Sequence, residues 1–120
     1  MFGSPEPSVV KSMTRLQHHR GPDGTGFWDD EHISLGHSRL AIVDLEGSPQ
    51  PISSDHGCIL IVNGEIYNHQ NIRDRFEGRY AFKTHSDCEV ILPLYLEQGT
   101  EFLDELSGMY AFCLYDEAKD

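Results

Sequence analysis

Several features that define whole classes of protein are missing from this chain of 120 residues. Its cysteines are Cys58, Cys88 and Cys113, so there is neither a CxxC pair nor a disulfide framework, and a reducing cytoplasm is the expected compartment. No apolar run approaches the roughly 20 residues of a membrane-spanning helix. Residues 1–7 lack the basic and apolar segments of a signal peptide. We therefore expect a cytoplasmic protein that has no membrane partner.

Basic residues are also scarce. Nine lysines and arginines stand against twenty aspartates and glutamates, which gives a net charge of −11. A nucleic-acid partner needs a basic patch for its phosphates, so this balance argues against one. The seven histidines show no spacing with cysteine or aspartate that fits a ligand set, so no metal site is expected. The length and the 38% of hydrophobic residues suit one small domain with a single core.

Hydrophobic patterns and capping residues predict strands and helices in alternation. Helices are expected over residues 9–17, 70–78, 86–99 and 101–106, and strands over 33–45, 59–62, 82–84 and 109–116. Ser86 and Glu89 have the spacing of a capping box, and Pro93 should kink the helix that they open. The strands at 59–62 and 109–116 do not alternate, which is typical of strands covered on both faces. These elements indicate a layered fold of helices and sheets.

A polar segment, Asn63-Gly64-Glu65, directly follows the apolar residues 58–62. If the strand ends there, a side-chain amide and an unhindered backbone N–H are exposed at one point. Such donors stabilise the negatively charged oxygen that forms when a carbonyl is attacked. Asn-Gly is also a common turn dipeptide, so a plain turn is the alternative that the local sequence leaves open.

Five segments are specific when they are taken together and in order. They are HRGPDG at 19–24, GHSRLAIVD at 36–44, NGEIYNH at 63–69, THSDCEVIL at 84–92 and LSGMYAF at 106–112. With them the chain resembles the glutamine-hydrolysing domain of glutamine-dependent asparagine synthetases, a class II glutamine amidotransferase domain. The resemblance implies an α+β fold, the N-terminal-nucleophile four-layer αββα sandwich, truncated at both ends. Residues 1–120 would then be a partial glutamine amidotransferase domain.

This resemblance implies the hydrolysis of glutamine to glutamate and ammonia. In the full-length enzymes the ammonia passes to a synthetase domain in cis, where ATP activates aspartate and asparagine is formed. ATP and Mg²⁺ would act in that absent domain, and no cofactor is expected in this one. Glutamine is the expected ligand, and the resemblance allows a homodimer of the full-length enzyme.

A glutamine site needs a cation, an anion and hydrogen-bond donors. Arg39 suits the α-carboxylate because its planar fork can bind both oxygens, although a solvated charge at a strand end is the alternative. Asp87 suits the ammonium, although an acid at the start of a helix is also favoured by the helix dipole, which is the alternative. The resemblance places Glu65 beside the same ammonium. The Asn63 side chain and the Gly64 N–H match the oxyanion hole of the family. The resemblance also places the backbone of four residues along the glutamine pocket: Leu40, Ala41, Ile42 and Val43.

The nucleophile of this family is a cysteine at the mature N-terminus, whose own α-amine serves as the base. Here Phe2 stands second, and the strand that carries that cysteine is expected to be absent, with the end of the domain and the synthetase domain. Cys58 and Cys113 lie in apolar strands, where burial makes a thiol inert. Cys88 opens a helix, but the adjacent Asp87 opposes a thiolate. This chain alone should therefore not hydrolyse glutamine.

Two other functions stay open. One is a catalytically dead domain that is retained for binding glutamine or a partner protein. The other is the amidotransferase domain of an asparagine-synthetase-like enzyme with another acceptor, such as those of polysaccharide or β-lactam biosynthesis. The segment EIYNH at 65–69 favours the asparagine type over the phosphoribosylamine and glucosamine-phosphate types, but it does not exclude these closer relatives.

Overall fold

The structure, a computed structural model, describes residues 5–40 and 48–119. The helices are α1 (Pro7–Leu16), α2 (His69–Arg75) and α3 (Ile91–Gln98), and 3₁₀ turns lie at His18–Arg20, Asp87–Val90 and Gly99–Glu105. The strands are β1 (Gly24–Asp29), β2 (Ser34–Arg39), β3 (Ile52–Ser53), β4 (Cys58–Ile66) and β5 (Gly108–Asp116). Within the described ranges, no helix has the length and apolar character that crossing a membrane requires.

The strands form two antiparallel units. β1 and β2 pair as a hairpin, and β4 is the centre of a second sheet, between β3 and β5. The pairing of β4 with β5 covers the whole of both strands and sets Asn63 opposite Ala111. β3 is much shorter and pairs only with the first half of β4, where Ile52 lies opposite Leu60. One edge of β4 is therefore left without a strand partner beyond Leu60 among the described residues.

Two apolar clusters arrange these units in layers. The larger one lies between the sheet and the later helices and includes Cys58, Leu60, Val62, Ile66, Ile72, Phe76, Val90, Ile91, Leu92, Leu94 and Phe102. The smaller one lies between the sheet and the hairpin and contains Ile33, Leu35, Ile59 and Tyr115. On the opposite face of the hairpin α1 packs so closely that a Cβ on Gly36 would lie 2.9 Å from Val10 Cγ1. The order is helix, hairpin, sheet and helices, which confirms the predicted α+β class.

β4 extends further than the sequence predicts. Its apolar part ends at Val62, but the strand continues to Ile66, and Asn63 and Gly64 pair with Ala111 and Tyr110 of β5. The reason is that β5 supplies a full-length partner, so backbone pairing rather than hydrophobicity decides where β4 ends. The alternative of a plain turn at Asn63-Gly64 is therefore wrong.

β5 is covered on one face rather than on both. Tyr110, Phe112 and Leu114 pack against the larger cluster. Met109 and Cys113 on the other face are exposed. The reason lies in the short reach of the hairpin, which covers this face only around Tyr115 in the described part of the chain. The non-alternating apolar sequence of β5 is thus a poor guide to its burial.

Two local expectations around α3 also change. Residues 82–84 form no strand, because the Glu89 side chain takes the N–H groups of Lys83 and Thr84 that a ladder would have used. Pro93 lies in the first turn of α3, directly after a 3₁₀ turn. The irregularity that a proline predicts therefore takes the form of a change in helix type at Ile91.

Candidate functional site

A cleft of about 650 Å³ opens where the ends of β2, β4 and β5 meet the turn before α3. Its walls come from parts of the chain that are distant in sequence. The described residues that the sequence predicts for glutamine binding all line it: Arg39, Leu40, Asn63, Gly64, Glu65 and Asp87. Ala41, Ile42 and Val43 lie outside the described residues, so their role stays a prediction.

Every second side chain of β2 faces β4, because the hairpin packs against the sheet. Leu35 belongs to the cluster between the two sheets, the His37 Nε2 atom lies 3.0 Å from the Val62 carbonyl oxygen, and Arg39 lines the cleft beyond it. Residues i, i+2 and i+4 of a strand share one face. The apolar contact of Leu35 therefore fixes the side on which Arg39 lies, and a slip of one residue would turn Arg39 towards α1.

The edge of β4 that faces away from β5 carries the N–H and C=O groups of every second residue. At Val62 the side chain of Gln50 takes both groups, with Nε2 2.8 Å from the carbonyl oxygen and Oε1 2.7 Å from the nitrogen. At Ile66 the N–H donates to Asp87 Oδ2 over 2.7 Å. Gly64 lies between these two positions on the same edge. No described side chain accepts from the Gly64 N–H, so this donor can serve a ligand in the cleft.

Only glycine fits at position 64. Its φ of +148° is a conformation that side chains rarely adopt. A Cβ there would overlap the carbonyl oxygen of Met109 and lie 2.5 Å from the Tyr110 Cα. On the edge of β4 that faces away from β5, the thiol of Cys88 contacts the Gly64 carbonyl oxygen at 3.8 Å. The backbone at this point is therefore held by β5 beneath it and by the turn before α3 beside it.

The cleft carries charges of both signs. Arg39 stands on the hairpin side, and Glu65 and Asp87 stand on the side of β4 and α3. Asp87 is only 6% exposed, and its Oδ2 accepts the Ile66 N–H. No described residue donates to the other oxygen, Oδ1. A buried carboxylate with an unused acceptor suits a positively charged ligand, because the charge is costly to bury without a partner.

The residues around Asp87 fix its position. Ser86 caps the turn as predicted, by accepting from the Cys88 N–H over 3.2 Å. Glu89 does not complete the capping box. It is fully buried instead, and it accepts from the Lys83 N–H over 2.7 Å and from the N–H and hydroxyl of Thr84 over 2.7 and 2.6 Å. The segment that leads into Asp87 is therefore anchored to the 3₁₀ turn that precedes α3.

None of the thiols is activated. Burial, with Asp87 nearby, raises the pKa of Cys88 to about 12, and burial raises the pKa of Cys58. Cys113 is exposed, which corrects its predicted burial, because the outer face of β5 is left uncovered among the described residues. Partial shielding still raises its pKa. A reactive cysteine needs a lowered pKa, so none of these is poised for attack.

In the part of the chain that the structure describes, no cluster of histidine, cysteine and acidic side chains is arranged to hold a metal ion.

Two residues of the site, His37 and Gln50, are not predicted from the sequence. His37 falls inside the segment 36–44, but nothing in its pattern indicates a contact with β4. Gln50 lies in a proline-rich loop that reads only as a connection. Both act on the backbone of Val62, a contact that depends on how the hairpin stacks on the sheet. No local sequence signal reports such a stacking.

His37 should make stability depend on pH. Burial lowers its pKa below the ordinary 6.5, the bond to Val62 opposes this, and Arg39 lowers it further. The unfolded chain then takes up a proton near pH 6.5 that the folded chain refuses, so stability is lost as the pH falls below that value. We expect the free energy of unfolding, measured in urea at several pH values, to fall more steeply in the wild type than in His37→Gln. Equal slopes would show that His37 does not titrate differently on folding.

Comparison with known proteins shows what this chain is similar to. The family model of the glutamine amidotransferase domain matches residues 1–120. The chain is 52% identical to asparagine synthetase B (glutamine-hydrolysing) of Escherichia coli over 109 residues, which are 90% of this chain and 20% of that protein. It is 49% identical over 116 residues to a probable asparagine synthetase of Schizosaccharomyces pombe, covering 96% of this chain and 21% of that protein. An asparagine synthetase of Bacillus subtilis is 40% identical over 114 residues, which are 93% of this chain and 18% of that protein. The chain thus spans about a fifth of the length of these relatives.

Proposed function

Because this chain belongs to the glutamine amidotransferase domain family, we propose that its cleft binds glutamine and polarises the side-chain amide. One observation carries the proposal. The N–H of Gly64 lies on an open edge of β4, in the same cleft as two basic side chains, Arg20 and Arg39, and two acidic ones, Glu65 and Asp87. Glutamine has matching groups, namely a carboxylate, an ammonium and a neutral amide.

The charged groups of the cleft would hold the α-carbon end of glutamine. The guanidinium of Arg39 can bind both oxygens of the α-carboxylate. Glu65 and the Oδ1 atom of Asp87 can accept from the ammonium, and Asp87 is already fixed by the Ile66 N–H. The backbone from Leu40 onwards would complete the pocket. This arrangement leaves the side chain of glutamine pointing along β4.

The amide end of glutamine would then meet the Asn63 side chain and the Gly64 N–H. Both are donors, and they would stabilise the oxyanion that forms when the amide carbon is attacked; removal of one such donor typically costs about 3 kcal/mol of transition-state stabilisation. The pKa values of Cys58, Cys88 and Cys113 are all raised. We therefore propose that this chain by itself binds glutamine and does not hydrolyse it.

The relatives suggest a wider setting for this site. They are named as glutamine-hydrolysing asparagine synthetases. We propose that the glutamine site serves a cytoplasmic enzyme of that kind, in which a synthetase domain in cis uses ATP and Mg²⁺ to convert aspartate and ammonia into asparagine, and which can form a homodimer. The order of layers around β4 supports the N-terminal-nucleophile sandwich as the complete fold.

A second candidate is a module that binds glutamine in a protein without glutaminase activity. The raised pKa values of the thiols favour it. Glutamate release by the full-length protein separates the two candidates. Steady release supports the enzyme, whereas glutamine binding with no release supports the module.

Glu65→Gln should weaken glutamine binding about tenfold, which is 1.4 kcal/mol, because the ammonium loses one of its two anionic partners. Isothermal titration calorimetry of the chain with glutamine measures this. N-acetylglutamine, which has no ammonium, is the matched ligand, and its affinity should not fall in the variant. Glu77→Gln, on the exposed surface after α2, is the matched control variant. Absence of glutamine binding by the wild type would overturn the proposal, as would an equal loss for both ligands.

A further inference from the structure

The side chain of Gln50 takes the place of a missing strand. β3 stops pairing with β4 at Leu60, so the next edge position, Val62, has no strand partner. The Gln50 amide accepts from the Val62 N–H over 2.7 Å and donates to its carbonyl oxygen over 2.8 Å. These are the two bonds that a paired residue of an adjacent strand would make. Gln50 thus extends the ladder by one position, up to the start of the Asn63-Gly64 segment.

His37 adds a second donor to the same carbonyl oxygen. Its Nε2 atom lies 3.0 Å from the Val62 oxygen, and a carbonyl can only accept, so the ring proton sits on Nε2. The other ring nitrogen, Nδ1, is buried and has no partner among the described residues. A buried polar atom without a partner is a cost that native structures rarely accept. The bond to Val62 is thus the only hydrogen bond of this ring among the described residues.

The brace formed by Gln50 and His37 is itself rigidly placed. The backbone carbonyl oxygen of Gln50 lies so close to Gly26 of β1 that a Cβ at position 26 would overlap it. Gly26 and His37 are partners across the hairpin. The backbone that carries Gln50, in the loop before β3, is therefore in close contact with the hairpin that carries His37. This contact fixes the positions of both side chains. Their hydrogen bonds to Val62 therefore fix β4 relative to the hairpin.

The two residues that follow Val62, Asn63 and Gly64, carry the donors of the proposed oxyanion hole. Fixing both backbone groups of Val62 leaves little freedom for the orientation of Asn63. Gly64 has a φ of +148°, which glycine adopts more easily than other residues, so the direction of its N–H depends on how the neighbouring residues of β4 are held. Oxyanion donors are effective only when they are held in place before the reaction.

We infer that Gln50 and His37 are positioning residues, which hold Val62 so that the Asn63 amide and the Gly64 N–H converge on the side-chain carbonyl of bound glutamine. This inference rests on the proposed function of the cleft. It predicts a specific defect. Loss of the brace should harm recognition of the amide and spare recognition of the α-carboxylate and ammonium, which Arg39, Glu65 and Asp87 provide from other elements.

The test compares two ligands in matched variants of the whole chain. Glutamine uses both ends of the cleft, whereas norvaline has the same α-carbon groups and no amide. Gln50→Glu is isosteric and sets an acceptor against the Val62 oxygen, and His37→Leu removes its second donor. Both variants should bind glutamine about tenfold more weakly by calorimetry and should bind norvaline as the wild type does. His37→Gln can still donate to Val62 and should stay within about threefold of the wild type for glutamine.

The outcomes separate this inference from the proposed function. A wild type that binds no glutamine refutes the proposed function, and the inference falls with it. A wild type that binds glutamine, with variants that match it, refutes the inference alone. An equal loss of glutamine and norvaline affinity shows that the brace supports only the general fold and also refutes the inference. A loss confined to glutamine, restored by His37→Gln, supports it.

Discussion

Gly64→Ala should be among the most destabilising substitutions in this chain, with a loss of at least about 3 kcal/mol in the free energy of unfolding. Two penalties coincide at this position. A φ of +148° strains any residue that carries a Cβ, and the added atom would overlap the Met109 oxygen and approach the Tyr110 Cα to 2.5 Å. Backbone atoms in a paired strand cannot move aside cheaply. The far half of the β4–β5 ladder must therefore shift, and the oxyanion donors of the cleft must shift with it.

Gly78→Ala is the matched control. Gly78 also has a positive φ, of +72°, but an added Cβ would meet no atom within 4 Å. It should cost only the backbone strain, about 1 kcal/mol. Urea denaturation of both variants gives the comparison. Equal destabilisation at the two positions would mean that β5 does not hold Gly64 as described. Gly64→Ala should also abolish glutamine binding, whereas Gly78→Ala should preserve it.

Glu89→Gln should lower the free energy of unfolding by about 3 kcal/mol. The Glu89 carboxylate is fully buried and accepts from the Lys83 N–H and from the N–H and hydroxyl of Thr84. A glutamine of the same shape turns one acceptor into a donor that faces other donors. The segment before Asp87 should then come loose, so glutamine binding should weaken together with stability.

Glu97→Gln provides the contrast. Glu97 lies on the surface and pairs with Arg79 at 2.7 Å and with Arg75 at 3.7 Å. Exposed ion pairs contribute up to about 1 kcal/mol, so this variant should stay close to the wild type in urea denaturation. A loss as large as that of Glu89→Gln would contradict the assignment of Glu89 as the anchor. Hydrogen exchange at the Lys83 and Thr84 amides locates the effect, since it should rise only in Glu89→Gln.

The sequence predicts the binding groups of the site better than the framework that holds them. Arg39, Asn63, Glu65 and Asp87 carry chemistry that a pattern can suggest, and the structure brings them to one cleft. Gln50 and His37 act through the backbone of Val62 instead. Their contacts arise from the stacking of a hairpin on a sheet. A single sequence has no local signal for that stacking, so it cannot report the brace.

The strands likewise follow the local sequence only in part, because contacts with distant residues decide where they end and how far they are buried. Hydrophobicity locates the apolar start of β4, but its polar end is a strand because β5 pairs with it as far as Ile66. The apolar sequence of β5 suggests burial on both faces, whereas Met109 and Cys113 are exposed. Residues 82–84 have strand-like composition, yet Glu89 takes the N–H groups of Lys83 and Thr84. In each case a distant part of the chain decides the outcome.

Glutamine should bind in this cleft with its side-chain amide at Asn63 and Gly64. A titration of the ¹⁵N-labelled chain with glutamine, followed by two-dimensional NMR, tests this most directly. We expect large shifts of the Gly64 N–H signal and of the Asn63 side-chain NH₂ signals, with the Gly78 amide signal unmoved. Norvaline should shift signals near Arg39 and Asp87 but leave the Asn63 NH₂ signals in place. If the Gly64 and Asn63 signals do not respond to saturating glutamine, the glutamine amide does not bind at these donors.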